Sequence, residues 1–319
     1  MAAPRYHLQF RRYRRPFRQP LHTRHGVWTV REGIILCLTD ADGRPAWGEI
    51  APVPAFGSET LAQAWQLCQA LPAVLTWADL QQIPLPACRF GFLSAWEQLT
   101  TSVSSVGPLP VSSVLLPTGA AALEAPQIFT PQPQSTFKWK IGVAPIQDEM
   151  AIFEELISLL PADARLRLDA NGSLTWQQAC QWLQLCDGYG VELLEQPLPP
   201  DQVSLMLKLR QRYSTELALD ESVTTVAQLQ HCYHQGWRGV FVLKAAIAGS
   251  PMELRNFCQT HNLDVIWSSV FETGVARRYI QDFLVRALPE AKRALGFGTS
   301  HWFNDGWEQL SPEQLWERL

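Results

Sequence analysis

From residue 137 onward, short apolar runs ending in a polar or ionisable residue recur at a near-constant interval. Lys140, Asp169, Glu195, Asp220, Lys244 and Ser268 follow one another at spacings of 29, 26, 25, 24 and 24 residues. Amphipathic stretches of helical period fill most of the gaps: DEMAIFEELISLL, a stretch starting near Thr175, then 201–212, 224–235 and 251–261. With VSSVLL before this series and ALGFGTS after it, eight strand candidates emerge. A strand, a helix and a return within about 25 residues is the repeat of a barrel of parallel strands. A doubly wound open sheet has a similar repeat, and the spacing alone does not separate the two. The phosphate-binding GxGxxG turn that marks many such open sheets is absent. The spacing and the missing turn favour an α/β fold with a barrel of parallel strands from about 107 onward.

The opening third has a different grammar. VWTVREGIILCLTD and RPAWGEI read as two strands joined at a turn on Asp42-Gly43. SETLAQAWQLCQALP (58–72) reads as a helix with Ser58 as cap and Leu61, Ala64, Trp65, Cys68 and Leu71 on one face. A second helix is expected over 88–101. The arginine-rich start, RYHLQFRRYRRPFRQP, allows a transit peptide, but it has no serine. An edge strand with Tyr6, Leu8 and Phe10 inward, arginines outward and a loop after Pro16 is the preferred reading. Residues 1–106 are therefore expected to form an α+β domain, antiparallel strands followed by helices.

Composition narrows the function. A net charge of −4 offers no basic field for nucleic acid. No apolar run reaches the roughly 18 residues of a membrane span. Seven cysteines, scattered and never spaced as CxxC, point away from a disulfide framework or a zinc site and towards the cytoplasm. The expected partner is a small molecule, which the chemistry of the strand ends narrows to a carboxylate. The oligomeric state is left open, and a monomer is compatible with everything above.

Strand ends of a parallel barrel converge on one mouth, so Lys138, Lys140, Asp169, Glu195, Asp220 and Lys244 are expected to meet there. Lys138 and Lys140, two apart, share a face of their strand. Three acids from neighbouring strands suit Mg²⁺, with Mn²⁺ as the alternative, because both prefer oxygen donors. The lysines carry separate weight. The chain has 21 arginines and only five lysines, three of them at these strand ends. An amine can lose its proton near neutral pH and a guanidinium cannot, so the choice points to acid–base work. Together a divalent cation and a lysine base suit removal of a proton next to a carboxylate. The cation stabilises the enediolate as its charge develops, and a lysine beside it has its pKa lowered towards a base's range.

WGEIAPVPAFGSET (47–60), KWK (138–140), RLDANG (167–172), EQP (195–197), DES (220–222) and LKA (243–245), spread over the whole chain, resemble the enolase superfamily, muconate-lactonizing subgroup. A lysine base beside a divalent cation is a known arrangement of that superfamily. Within it, WGEI, RLDANG and the Ser268-Ser269 pair are similar to the dehydratase branch of menaquinone and phylloquinone synthesis. The resemblance implies a lyase built as an α/β, TIM-type (β/α)7β barrel over 107–302 with an N-terminal α+β capping domain. Asp169, Glu195 and Asp220 would bind Mg²⁺; Lys140 would be base and then acid; Lys244 would stabilise the enediolate, partly by a cation–π contact with the substrate ring; Lys138 would tune Lys140. Asn171 and Arg167 would brace the metal and lysines, with Arg167 also counted among the substrate contacts. Ser268, Ser269, Gly296 and Gly298 would hold the substrate tail, and the α+β domain 1–106, completed by the C-terminal segment 303–319, would cap the mouth with a loop at about 15–26 excluding water.

Alternatives on the same fold are an N-acylamino acid racemase and a dipeptide epimerase; the latter class carries a DxD pair where this chain reads GFGTSHW. A Schiff-base aldolase using Lys244 would leave the three acids without a role. A non-catalytic barrel scaffold is the remaining reading. His231 and His234 are expected on a solvent face, the tryptophans mainly in the core with Trp139 and Trp267 near the mouth, and Asp305 in a turn. Glu272 either lines the pocket or caps a helix.

Overall fold

A computed structural model describes residues 4–23, 26–102, 108–124, 135–288 and 293–319. The expected domain boundary at 106/107 lies outside the described residues. The first sheet is antiparallel, built from β1 (Arg5–Thr23), β2 (Gly26–Thr39), β3 (Pro45–Ile50) and β4 (Val74–Thr76), in the order β3-β2-β1-β4. β4 pairs only with Arg5–His7, so most of β1 is an edge, where Pro16 and Pro20 cost no ladder bond on the open side. The strand does not give way to a loop after Pro16. After a register shift it continues, with Leu21 opposite Trp28. In place of the expected loop over 15–26 stands the arm of a hairpin, and residues 24–25 lie outside the described residues.

Both faces of this sheet are buried, by different partners. Tyr6, Leu8, Ile34, Leu36 and Leu38 join the main core. Tyr13, Ile35, Cys37 and Trp47 pack on the other face against Val275 and Leu315, flanked by Trp307, Leu310 and Trp316. Arg15 departs from the outward pattern: it is 1% exposed, paired to Asp305 through two bonds of 2.7 and 3.0 Å and to Glu308 at 3.0 Å. Asp305 is thus an anchor for the C-terminal segment and not merely a turn residue.

Helix Leu61–Ala70 is capped by Thr60 in a reciprocal box with Gln63, while Ser58 accepts from the Val53 amide instead. Helix Pro86–Thr100 crosses β3 so closely that a Cβ on Gly48 would stand 1.9 Å from the Gly91 carbonyl oxygen. Only glycine allows that contact.

The second sheet is parallel and curled: β5 (Val114–Leu115), β6 (Thr136–Lys140), β7 (Arg165–Asp169), β8 (Leu193–Glu195), β9 (Glu216–Leu219), β10 (Val240–Leu243) and β11 (Val265–Trp267), side by side in chain order. Helices Ile146–Leu159, Trp176–Tyr189, Val203–Arg212, Val226–His234 and Pro251–Thr260 fall between successive strands. Two of them open on the reciprocal boxes of Thr175 and Thr225. The ALGFGTS strand is reduced to isolated parallel bridges, Leu295 with Ser112 and Gly296 with Ser268.

Alternation sorts the strand residues. Phe137, Trp139, Leu166, Leu168, Leu194, Leu217, Phe241 and Trp267 join the core beneath the helices. Trp139 and Trp267 are therefore core residues and not part of the mouth. Leu193, Ala218, Val240, Val242 and Ile266 fill the concave side as a separate cluster, and one or two residues further along the same face come the ionisable groups.

Candidate active site

Parallel pairing sets the acids in a row. Lys140 is in register with Asp169 and Asp169 with Glu195, so the three project side by side from β6, β7 and β8. Asp220 and Lys244 follow directly after β9 and β10. A cavity of about 540 Å³ is lined by Lys138, Lys140, Asp169, Asn171, Asp220, Glu221, Lys244, Ser268 and Ser269, among others. The first sheet supplies the other wall: Gln19, Leu21 and Trp28 from the hairpin arm, and Val53, Ala55 and Phe56 from the turn after β3. His301 and Trp302 reach in from the C-terminal segment. Sequence reasoning puts Gln19 and Leu21 in a water-excluding loop and Val53, Ala55 and Phe56 within a family motif, but gives none of these wall residues a role of its own, because no local pattern marks a contact made across two sheets.

Charge compensation in the site is close. Lys138 Nζ lies 2.8 Å from both Asp169 Oδ2 and Glu195 Oε1. Burial alone would lower its ammonium, but Asp169, Glu195 and Asp220 outweigh burial and raise it. Asp169 is held below the usual carboxylate range although burial opposes this, because Lys138 stands against it. Lys244 is ion-paired to Asp220, and its Nζ lies 4.4 Å above the centre of the Phe56 ring. Four carboxyl groups, those of Asp169, Glu195, Asp220 and Glu221, share the site with three lysines. Glu195 is pushed up to about 8 by burial and the Asp169 carboxylate, and Glu221 to about 7 by burial and Asp220.

As they stand, no three acid, histidine or cysteine side chains among the described residues form a metal-holding group; ammonium nitrogens stand between the acids instead. The donor chemistry nevertheless fits a hard divalent cation: Asp169, Glu195 and Asp220 are buried and offer oxygen donors only.

The backbone after the strands is unusual. Asn171, Gln196 and Phe271 carry φ of 44°, 39° and 62°, a left-handed region that bulky residues rarely enter. Fully buried Gln196 accepts from the amides of Asp220 (3.0 Å) and Ser222 (3.2 Å), tying the end of β8 to that of β9. Asn171 donates to Asp169 Oδ1 through its amide and to Glu221 through Nδ2, both at 3.0 Å.

Several expected site residues stand elsewhere. Arg167 is 2% exposed and does not line the cavity; it binds Glu192 through two bonds and the Ala294 carbonyl at 2.7 Å, below the acids on the concave side. Gly296 and Gly298 lie behind the cavity wall, where a Cβ would come within 2.9 Å of Ser268 Oγ and 2.7 Å of the Ser113 carbonyl oxygen. Their lack of a side chain serves close chain approach. Glu272, 1% exposed, neither lines the cavity nor caps a helix; it accepts from Ser269 Oγ, the Val270 amide and Arg277 Nε. His231 and His234 are exposed on their helix.

Residues 126–311 match the family model described as enolase C-terminal domain-like, and residues 6–99 match the MenC N-terminal domain. The o-succinylbenzoate synthase of Thermosynechococcus vestitus is 42% identical, over 98% of each chain. A solved o-succinylbenzoate synthase from Thermosynechococcus elongatus, with magnesium in its active site, superposes with a TM-score of 0.87 at 41% identity, covering 98% of this chain and 100% of that one. The L-Ala-D/L-Glu epimerase of Bacillus subtilis shares the fold at a TM-score of 0.78 and 18% identity, covering 93% and 90%.

Proposed function

The chain belongs to the o-succinylbenzoate synthase family of the enolase superfamily, and on that premise we infer which residues perform the reaction. The protein is a Mg²⁺-dependent lyase of menaquinone or phylloquinone synthesis, converting 2-succinyl-6-hydroxy-2,4-cyclohexadiene-1-carboxylate to 2-succinylbenzoate by syn loss of water. One observation carries the assignment of roles: the in-register row Lys140–Asp169–Glu195, with Lys244 four strands from Lys140 around the same cavity.

Asp169, Glu195 and Asp220 would hold Mg²⁺, which supplies Lewis-acid stabilisation for charge accumulating on the substrate carboxylate. Lys140 Nζ removes the proton from the ring carbon bearing that carboxylate, and the C–H electron pair moves into the enediolate. Lys244, ion-paired to Asp220, presents positive charge to it. Lys138 is a fixed ammonium two residues from the base on the same strand face. Lys140 then returns its proton to the hydroxyl as the C–O bond breaks; water departs and the ring becomes aromatic. Ser268 faces the substrate tail. Phe56, stacked over Lys244, confines that lysine from the capping side.

In the same reading the curled sheet closes as a (β/α)7β barrel over 107–302, with 1–106 and 303–319 as its cap. The bridges of Leu295 and Gly296 to Ser112 and Ser268 support closure, and the aromatic contacts of 307–316 with β1 and β2 support the division.

Ultraviolet absorbance of the cyclohexadiene tests the proposal. Turnover with Mg²⁺, abolished by EDTA and lowered on the order of 10³-fold by Lys140→Ala, is expected. An inert protein that exchanges deuterium into N-succinyl amino acids would move the substrate to the racemase branch.

A further inference from the structure

Phe271 is an aromatic residue lining the cavity with φ of 62°. A bulky side chain in that region is held there by its surroundings or not at all. The surroundings are a buried polar lattice. Phe271 N–H donates to Ser269 Oγ at 2.9 Å. Ser269 Oγ in turn donates to Glu272 Oε2 at 2.8 Å and accepts from Arg277 Nη2 at 3.0 Å. Arg277 also binds Glu272 Oε1 at 2.6 Å, the Phe297 carbonyl at 3.1 Å and Thr299 Oγ1 at 3.0 Å. Ser269, Glu272 and Arg277 are 8%, 1% and 8% exposed. One proton and two acceptor positions exhaust a hydroxyl, so Ser269 has nothing left to offer a substrate although it borders the cavity.

The lattice delivers a ring to one place. Phe271 meets the edge of Phe17 at 5.3 Å and stands 6.4 Å from Trp28, both on the hairpin arm of the first sheet. Trp28 lines the cavity with it. Phe303, 6.4 Å away, stacks on Phe17 at 4.9 Å and lies under Arg15. The aromatic wall thus draws on the end of β11, the arm and the C-terminal segment.

We propose that Phe271 is a specificity-determining residue that packs against the non-reacting side of the substrate, and that Ser269, Glu272 and Arg277 are positioning residues that hold its backbone in the left-handed conformation. The assignment rests on the dehydratase reading above. It also divides the serine pair: Ser268 is available to the ligand, and Ser269 belongs to the lattice.

Phe271→Asn tests the ring, since asparagine tolerates positive φ, and Phe271→Tyr is the conservative rescue. Expected for Phe271→Asn is a KM raised roughly tenfold or more, with the loss falling on KM more than on kcat. Affinity for 2-succinylbenzoate, read by tryptophan fluorescence, should weaken by a similar factor, and Phe271→Tyr should restore both. Arg277→Lys tests positioning: it should speed hydrogen exchange of the Phe271 amide and raise KM in parallel. An active wild type with unchanged KM and product affinity in Phe271→Asn overturns the specificity role while leaving the dehydratase reading intact. Unchanged exchange in Arg277→Lys overturns the positioning role. A wild type that neither turns over the cyclohexadiene nor binds 2-succinylbenzoate overturns both readings together.

Discussion

Glu49 sits in the WGEI stretch, is fully buried, and joins the first sheet to the start of the helix Gly274–Tyr279 that follows β11. Its carboxylate accepts from Tyr13 Oη at 2.7 Å, the Thr273 amide at 2.9 Å, Thr273 Oγ1 at 2.6 Å and the Ala276 amide at 3.2 Å. Glu49→Ala strands those donors. The two hydroxyls can turn elsewhere, but the two backbone amides cannot. Each buried orphan costs about 1–3 kcal/mol. Burial raises the Glu49 carboxyl, so removing it also relieves a desolvation cost, and a net loss of about 3 kcal/mol is expected. At about 2 °C per kcal/mol for a chain of this size, Tm should fall by roughly 6 °C. Glu49→Gln keeps one acceptor and turns an NH2 group towards existing donors, so it should fall between wild type and Glu49→Ala. Calorimetry should be paired with urea unfolding followed by fluorescence and far-ultraviolet dichroism, because coincident curves are needed before a free energy is assigned. A Glu49→Ala protein within about 1 kcal/mol of wild type would refute the reasoning, since it would mean that the buried amides find other partners.

Arg167→Met should lose about 3 kcal/mol by leaving Glu192 with Arg293 alone, while kcat/KM well below the new Tm stays near wild type; a selective kinetic loss would return Arg167 to the site. Glu192 is held below the usual carboxylate range by Arg167 and Arg293, against the effect of burial. Its folded pKa is thus depressed, so its stabilisation is present above the unfolded value of about 4.3 and lost as pH falls through the folded one. Glu192→Gln should lower stability at neutral pH and flatten the acid limb of a denaturation series, and an unchanged acid limb would show that the pair is not linked to folding.

Much of the site is legible in strand-end chemistry. Lys138, Lys140, Asp169, Asn171, Asp220, Lys244, Ser268 and Ser269 all border one cavity, with Glu195 beneath Lys138. The reason is local: parallel strands repeated at a fixed interval carry their last inward residue to a common level, so spacing encodes proximity. Arg167 shares that inward face with Asp169 but sits two residues lower, and strand position alone gives no sign that Glu192 and the Ala294 carbonyl wait there. Ser269 reads as a ligand contact because serine at a strand end is polar and accessible; the partners that use up its hydroxyl come from residues 2, 3 and 8 positions later.

The sequence by itself determined the repeat, the helices and strands it is made of, and the acids and lysines at the strand ends, because these depend on periodicity and side-chain alternation within about 25 residues. A cap over them was implied by resemblance, but only the tertiary structure decided which residues form it. The hairpin arm, the Phe56 turn and the segment carrying His301 and Trp302 meet over the mouth from opposite ends of the chain. Arg15 changes from an outward arginine to a buried anchor because Asp305, 290 residues away, folds back onto β1. Such contacts are set by which faces remain uncovered after the local elements form, and no pattern within one element specifies that.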